Sequence, residues 1–254
     1  MIRSWGSISS TRDYLALALD LPLDEAEQLY ERVRQYFAVA KVGLSLFVEH
    51  GPAAVERLRR LGARIFLDLK LHDIPNTVEL AARHAAEIGA SYITVHAQGG
   101  AAMLRAARAG AEAGAGSRAS EAPKLLAVTV LTSLSSGDLE ATGHPGSVAS
   151  LTERLARLSV DCGLAGVVCS PQEVAHLRSC LGPAAFLCTP GIRSSAAERG
   201  DQQRVATAEQ AVRSGADLLV VGRPVYAAAD PLEAARVLAS EVDAALREQS
   251  TTSG

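Results

Sequence analysis

The sequence predicts an α/β protein in which eight parallel strands and their connecting helices close into a single (β/α)8 barrel, the TIM-barrel architecture. Eight apolar runs of strand length recur at fairly even intervals, and stretches rich in Ala, Leu, Arg and Glu with helical periodicity separate them. This alternation favours a parallel sheet, and strands this apolar are covered on both faces. Eight such units close naturally into a barrel. An open doubly wound sheet is the structural alternative.

The elements can be assigned in order along the chain. The predicted strands cover residues 14–19, 38–42, 64–71, 92–96, 125–131, 166–169, 185–189 and 218–221. The predicted helices cover residues 24–37, 51–61, 77–88, 101–113, 147–162, 171–180 and 202–214. Two long connections rich in Gly and Ser, 132–146 and 191–201, are predicted to be lids or binding loops. Segment 111–123 leads into a strand from the opposite rim and is predicted to be a plain linker.

Composition limits the organisation and the partners of the chain. Its 254 residues are 48% hydrophobic and 21% charged, which is typical of a soluble globule. We expect one domain over 1–254, with an ordered barrel at about 14–245 and a disordered tail at 246–254. The net charge of −3, the lack of a membrane-length apolar run and a start without a secretory signal core predict no nucleic acid, no membrane and a cytoplasmic location.

Metal and cofactor signals are weak. The four cysteines form no close CxxC pair, which favours reduced and mostly buried thiols. The six histidines show no tight ligand spacing, and the chain has neither a GxxxxGK[ST] loop nor a GxGxxG that follows a strand. We therefore expect no metal and no organic cofactor.

The third predicted strand carries charge where a barrel strand should be apolar. It reads FLDLKLHDIP from Phe66 to Pro75, and strand alternation places Asp68, Lys70 and His72 on one face. A structural ion pair is the alternative interpretation. However, a charged pair inside a barrel is costly to desolvate, and a hydrophobic replacement is often neutral or better, so such charges favour a functional site.

Other polar residues occur where strands end, at the rim that holds active sites in this fold. They are Asp20, His96, Thr132, Ser170, Arg193 and Arg223. Gly222-Arg223-Pro224 follows the eighth strand and is predicted to open a short helix that binds phosphate. Gly permits a phosphate to approach the backbone closely, Pro suits a first helical turn, and Arg can form two hydrogen bonds to a phosphate.

The stretch FLDLKLHDIPNTV closely resembles the signature of orotidine 5′-monophosphate decarboxylases. Further matches follow in the family's order between residues 14 and 227: LALD, AKVG, VHAQGG, VTVLTS, PGIR and DQQRVATAEQAVRSGADLLVVGRPV. The resemblance implies a homodimeric barrel that converts orotidine 5′-monophosphate to UMP and CO2, the last step of de novo pyrimidine synthesis. It also implies a reaction without metal, organic cofactor or covalent intermediate.

The chemistry places specific demands on the charged strand. Loss of CO2 from C6 of the pyrimidine leaves an electron pair in the ring plane, which the ring π system cannot easily absorb. Electrostatics and positioning are then the remaining resources. Lys70 suits both the stabilisation of the carbanion and the delivery of a proton, whereas Arg would be a poor proton donor. Asp68 would lie near the departing carboxylate, and the repulsion between the two negative charges would fade as CO2 becomes neutral.

The resemblance also implies the remaining roles. Lys41 and Asp20 would bind the ribose, and Asp73 would enter the site of the neighbouring subunit together with Ile74 and Thr77. Substrate contacts outside the ribose are implied for Thr132 at the pyrimidine, Arg193 and Gln202 at the phosphate or pyrimidine, and Gly222 and Arg223 at the phosphate. A loop residue or helix N-cap is the alternative for Asp73. No role is assigned to His72 or His96.

Two other functions fit parts of the pattern. The first is an Mg²⁺-dependent sugar-phosphate decarboxylase or aldolase of the same barrel type, but such enzymes carry an acidic residue where this chain has Lys41. The second is a non-catalytic phosphate-binding barrel, which would need Gly222 and Arg223 but not Asp68 and Lys70 together.

Overall fold

A computed structural model describes residues 10–116, 121–193 and 206–252 of the chain. Eight parallel strands pair in sequence order and β8 closes on β1, which confirms the predicted barrel. The strands are β1 (Leu15–Ala18), β2 (Val39–Gly43), β3 (Arg64–Leu71), β4 (Ala90–His96), β5 (Lys124–Val128), β6 (Gly166–Val168), β7 (Phe186–Thr189) and β8 (Leu218–Val221). Predicted and observed bounds agree at the third and eighth strands and differ by at most three residues elsewhere.

The helices lie in the connections between strands and after the last one. They are α1 (Leu23–Val33), α2 (Leu44–His50), α3 (Pro52–Arg60), α4 (Pro75–Glu87), α5 (Gly100–Gly116), α6 (Ser136–Ala141), α7 (Val148–Asp161), α8 (Val174–Leu181), α9 (Ala208–Arg213), α10 (Arg223–Tyr226) and α11 (Pro231–Thr252). Single 3-10 turns cover Thr11–Tyr14 and Ala97–Gly99. Pro at the first position begins α3 and α4, where its missing N–H costs nothing. None of the helices in the described ranges is both long and apolar enough to cross a membrane.

The hydrophobic core has two layers. The larger layer lies between the strands and the surrounding helices, and the smaller one fills the inside of the barrel. At the N-terminal end of the barrel the Tyr92 ring packs against Phe66 and Phe186, with both ring centroids 5.8 Å away. The ammonium of Lys124 lies 5.5 Å from the Tyr92 centroid and 5.7 Å from that of Phe186. These side chains close this end, so an open site must lie at the other one.

A buried ion pair fixes the N-terminal ends of the seventh and eighth strands. Asp217 is 1% exposed and accepts hydrogen bonds from Arg178 Nη2 at 2.5 Å and from the backbone N–H of Leu187 at 2.8 Å. Arg178 also donates to the carbonyls of Ala185 and Gly215, each at 2.7 Å. One guanidinium therefore connects α8 to the chain entering β7 and β8.

The predicted linker 111–123 is wrong at its start, because α5 continues to Gly116. Two glycines of α5 serve its packing against α4. A Cβ on Gly110 would lie 2.0 Å from the carbonyl oxygen of Glu79 in α4, and one on Gly114 would lie 2.3 Å from that of Arg83. The glycines let the two helix backbones approach closely, which a larger side chain would prevent.

The long connection 132–146 is also not structureless, since it contains α6. Ser135 caps this helix: its Oγ accepts from the N–H of Asp138, and its own N–H donates to Asp138 Oδ2 at 2.8 Å. Of the other long connection, 191–201, only the first three residues lie within the described ranges.

The predicted disordered tail is wrong for most of its length, since α11 runs to Thr252. Gln249 Nε2 donates to the carbonyl of Val212 at 3.0 Å, and Leu246 packs against the core. These contacts hold the helix against α9. The sequence assignment had also placed no helix over α2 or α11.

Candidate active site

A cavity of about 480 Å³ opens at the C-terminal mouth of the barrel. Its wall includes eight of the residues that the sequence predicts for the site. They are Asp20, Lys41, Asp68, Lys70, Thr132, Arg193, Gly222 and Arg223. Apolar side chains from β5, β6 and β8, such as Val128, Val168 and Val220, form another part of the wall. The cavity thus joins a charged strand, two arginine-bearing loops and an apolar surface.

Four charges of alternating sign form a row along this wall. Lys41 Nζ lies 3.6 Å from Asp20 Oδ1 and 3.6 Å from Asp68 Oδ2, and Lys70 Nζ lies 2.9 Å from Asp68 Oδ1. Lys41 and Asp68 are 8% and 9% exposed. A Cβ on Gly43 would lie 3.0 Å from Asp20 Oδ1 and 3.1 Å from Lys41 Nζ, so the absence of a side chain there leaves room for this contact.

The backbone of β3 is irregular where it carries two of these charges. Leu67 pairs with Ile93 and Leu71 with Val95, so four steps along β3 match two along β4. Lys70 has φ +50°, and no other non-glycine residue in the described part of the chain has a positive φ. This left-handed conformation is costly for a residue with a Cβ and often occurs at functional sites. The simple alternation predicted from the sequence is therefore replaced by a bulge that still directs both charged side chains into the cavity.

Asp68 is held ionised by its neighbours. Burial raises the pKa of its carboxyl, but the ammonium charges of Lys41 and Lys70 and hydrogen bonds from Lys70 and Thr94 outweigh burial and bring the pKa below its ordinary value. The site therefore presents a fixed negative charge between two ammonium groups at neutral pH.

Two arginines, Arg193 in the connection after β7 and Arg223 at the start of α10, make another part of the cavity strongly positive. Arg193 Nε is buried and has no hydrogen-bond partner among the described residues. Burial and then the charge of Arg223 lower the pKa of the Arg193 guanidinium from its ordinary value. A buried guanidinium donor beside a second guanidinium favours the binding of an anion. Gly222 follows β8 and precedes α10, and Pro224 lies in the first turn of α10, as the sequence predicts.

Three of the predicted residues that the structure describes do not line this cavity. Asp73, Ile74 and Thr77 are exposed at the start of α4, where Asp73 Oδ1 accepts a hydrogen bond from the N–H of Ile74 at 2.6 Å. Gln202 lies outside the described residues.

His72 and His96 lie beside the charged strand, with ring centroids 5.4 Å apart. Burial, followed by the neighbouring His72 and Lys70, lowers the pKa of His96, which favours its neutral form at pH 7. Neither imidazole lines the cavity.

Sequence reasoning missed Thr94 in β4. This residue is fully buried, and its hydroxyl contacts both the backbone of Lys70 and the carboxylate of Asp68. Its sequence signal is weak: one small polar residue inside an apolar strand, two positions before His96. The contacts of Thr94 with Lys70 and Asp68 depend on the bulge of β3, which no sequence pattern predicted.

One group in the described ranges has metal-ligand character, and it lies on the outer helices. Ligand atoms of Glu153, His176 and Cys180 all lie within 4.8 Å of one another. However, Glu153 is already paired, with His176 Nε2 at 2.7 Å from Oε2 and Arg157 Nε at 2.9 Å from Oε1. The group is therefore explained as an ion-pair cluster, and the expected absence of a metal stays a prediction.

Comparisons with known proteins agree with the site. The family profile described as "Orotidine 5'-phosphate decarboxylase / HUMPS family" matches residues 13–238. A protein named orotidine 5'-phosphate decarboxylase from Anaeromyxobacter sp. (strain K) is 51% identical over 227 residues, which cover 89% of this chain and 96% of the relative. One of the same name from Moorella thermoacetica is 45% identical over 234 residues, 91% of this chain and 93% of the relative. The crystal structure of orotidine 5'-phosphate decarboxylase from Lactobacillus acidophilus superposes with a TM-score of 0.79 at 36% identity, covering 90% of this chain and 98% of that one.

Proposed function

This chain belongs to the orotidine 5′-phosphate decarboxylase / HUMPS family, and from its site geometry we propose how its own residues carry out the reaction. It decarboxylates orotidine 5′-monophosphate to UMP in pyrimidine biosynthesis. The observation that carries the mechanism is the contact of the Lys70 ammonium with the buried carboxylate of Asp68 at 2.9 Å, on the wall of a cavity that also holds two arginines.

Lys70 is the proton donor in this mechanism. As the bond between C6 and the carboxylate carbon breaks, CO2 leaves and its bonding electrons stay on C6. The Lys70 ammonium stabilises this electron pair and then transfers a proton to it, so that a C–H bond forms and Lys70 is left neutral. A proton from solvent restores the ammonium before the next turnover.

Asp68 fixes Lys70 and lies near the leaving carboxylate. Its negative charge repels the substrate carboxylate, and this repulsion disappears when neutral CO2 forms. The low pKa of Asp68 supports this role because a protonated carboxyl would exert no such repulsion.

The rest of the substrate is held by residues around the mouth. Asp20 and Lys41 bind the ribose hydroxyls, and Thr132 contacts the pyrimidine. Arg193 and Arg223 bind the phosphate with the backbone at Gly222. The phosphate gives an acceptor to the buried Arg193 Nε, which has none among the described residues. Gln202 joins the phosphate or pyrimidine contacts.

We further propose that the active form is a cytoplasmic homodimer in which Asp73, Ile74 and Thr77 contribute to the partner's site. Support comes from the apolar surface on this rim. Four large apolar side chains there are exposed, on α2 and at or near the start of α4: Leu44, Val48, Ile74 and Leu80. Since α2 and α4 follow the C-terminal ends of neighbouring strands, a partner that covers them would lie beside the mouth.

The Mg²⁺-dependent sugar-phosphate alternative fits the site poorly. Lys41 places an ammonium 3.6 Å from both Asp20 and Asp68, the carboxylates that such a cation would need. Its charge would repel a divalent ion.

The direct test follows the pyrimidine absorbance of orotidine 5′-monophosphate with EDTA-treated protein. We expect full turnover in EDTA and a loss of nearly all turnover in Lys70→Ala, with the fold retained by circular dichroism. The matched control is Lys124→Ala, because Lys124 lies inside the same barrel at its closed end. Activity restricted to a sugar phosphate with Mg²⁺, or unchanged turnover in Lys70→Ala, would refute the mechanism.

The dimer is tested by mixing two inactive variants, Lys70→Ala and Asp73→Ala, under conditions that exchange subunits. Random exchange makes half the dimers mixed, and each mixed dimer has one intact site, so about a quarter of wild-type activity should return. No recovery, with exchange verified by mass spectrometry, would show that Asp73 acts within its own subunit or not at all.

A further inference from the structure

We propose that Thr94 is a positioning residue that holds both Lys70 and Asp68 in their reactive arrangement. The inference rests on the roles proposed above for those two residues. Thr94 lies in the middle of β4 with no exposed surface, and it does not line the cavity. It therefore acts through other side chains and touches no part of the substrate.

The bulge in β3 creates the need for such a residue. Between the pairs Leu67–Ile93 and Leu71–Val95, β3 holds two more residues than β4 can pair with in a regular ladder. The backbone N–H of Lys70 falls in this interval, and Lys70 itself has φ +50°. Backbone amides released by a bulge need another acceptor, because a buried N–H without a partner is strongly unfavourable.

The Thr94 hydroxyl supplies that acceptor, and the hydroxyl can then donate its own hydrogen to only one neighbour. The N–H of Lys70 donates to Thr94 Oγ1 at 2.9 Å, and Thr94 Oγ1 lies 2.9 Å from Asp68 Oδ1. A backbone N–H can only donate and an ionised carboxylate can only accept, so the hydroxyl must accept from Lys70 and donate to Asp68. Asp68 Oδ1 also accepts from Lys70 Nζ at 2.9 Å.

One hydroxyl consequently closes a small network that starts and ends at Lys70. It stabilises the left-handed backbone that directs the lysine into the cavity, and it orients the carboxylate that holds the ammonium. Both effects act on the position of the reacting proton, and a displacement of about 1 Å at a reacting group can lower a rate on the order of a hundredfold. Binding of the phosphate end depends on Arg193 and Arg223, which Thr94 does not contact.

The experiment compares Thr94→Val with Thr94→Ser in steady-state decarboxylation of orotidine 5′-monophosphate. Val fills the space of Thr but removes both hydrogen bonds, whereas Ser keeps the hydroxyl. We expect kcat to fall about tenfold to a hundredfold in Thr94→Val with KM changed less than about threefold, and Thr94→Ser to retain kcat within about fivefold. Thr129→Val is the matched control, since Thr129 is equally buried but donates to the Val168 carbonyl at 3.2 Å. Its kcat should stay within about threefold of wild type.

Several outcomes would overturn the proposal. They are an unchanged kcat in Thr94→Val, equal losses in the Val and Ser variants, or a loss that falls on KM alone. If Thr94→Val does not fold, Thr94→Ala decides the question, because it removes the hydroxyl without placing apolar atoms against Asp68, and full activity in it would refute the role. Loss of activity in Lys70→Ala alongside an active Thr94→Val would reject the positioning role alone, whereas an active Lys70→Ala would reject the mechanism on which it rests.

Discussion

Lys70→Arg separates the charge of the proposed proton donor from its acidity. A guanidinium keeps the positive charge and can pair with Asp68, but its pKa is too high for it to release a proton readily. The Lys70 side chain is 31% exposed to the cavity, whereas that of Asp68 is only 12% exposed. An arginine at position 70 therefore has space toward the mouth of the cavity, and its guanidinium can still pair with the carboxylate of Asp68.

The expected magnitude follows from the two roles of the ammonium. Proton transfer by a positioned general acid contributes about 10²–10⁴ to a rate, which corresponds to about 3–5.5 kcal/mol of activation free energy. We expect kcat of Lys70→Arg to fall by about this factor. Because one partially exposed cation replaces another beside the same carboxylate, the free energy of unfolding should change by less than about 1 kcal/mol.

The assay is single-turnover decarboxylation, with urea unfolding as the stability measurement and Lys124→Arg as the control. Lys124 lies between aromatic rings at the closed end of the barrel, so its replacement should leave kcat unchanged. The larger guanidinium of Lys70→Arg could also obstruct the substrate, so the Lys70→Ala variant is tested with added small cations. Added ethylammonium should raise the decarboxylation rate of Lys70→Ala, whereas added guanidinium should not. Equal rescue by the two cations, or a Lys70→Arg enzyme within tenfold of wild type, would refute proton donation by Lys70.

Three further predictions concern stability. Asp217→Asn leaves the largely buried Arg178 side chain without its carboxylate and should lower the free energy of unfolding by about 3–5 kcal/mol, or the melting temperature by roughly 6–20 °C, with kcat at 25 °C unchanged. A shift below about 3 °C would contradict the stabilising role of this ion pair. Gly110→Ala should lower the free energy of unfolding, measured in urea, by at least about 1 kcal/mol because the new Cβ meets a backbone carbonyl. Gly137→Ala should not be destabilised, since the nearest atom to its Cβ, Ser135 Oγ, would be 3.7 Å away. The lowered pKa of Asp68 contributes stability that is present above the pKa of the unfolded state and is lost as the pH falls through the folded-state pKa. The difference in the free energy of unfolding between wild type and Asp68→Asn should therefore shrink in acid. A difference that stays constant with pH would contradict this prediction.

The barrel was predictable because its signals are local and repeated. Apolar runs and helical periodicity located every strand, and β3 and β8 were assigned with their observed bounds. Two of the errors share one physical cause, namely that small and polar residues have more than one use. Gly114 was assigned to a linker but, together with Gly110, lets α5 pack against α4. The Ser135–Asp138 capping box of α6 was taken for part of a loop.

The candidate site was predictable in its residues but not in its geometry. The charges at Asp68 and Lys70 stood out because a barrel strand is normally apolar inside. The left-handed backbone at Lys70 could not be foreseen, since nothing in the residue type favours φ +50° and the surrounding fold imposes it. Thr94 was missed for the same reason: its role exists only once the bulge brings residues 24 and 26 positions apart into one network.

The use of lysine in this chain adds an independent argument for the roles of the charged row. Only three of its 25 Lys and Arg residues are lysines, and two of these, Lys41 and Lys70, flank Asp68. Where a cation only has to pair with a carboxylate and carbonyls, as at Arg178, the chain uses arginine. An ammonium differs in being compact and in being able to give up a proton. Compactness accounts for Lys41, whose Nζ lies 3.1 Å from the space that a Cβ on Gly43 would occupy. The proton donation proposed above would account for the choice of lysine at position 70.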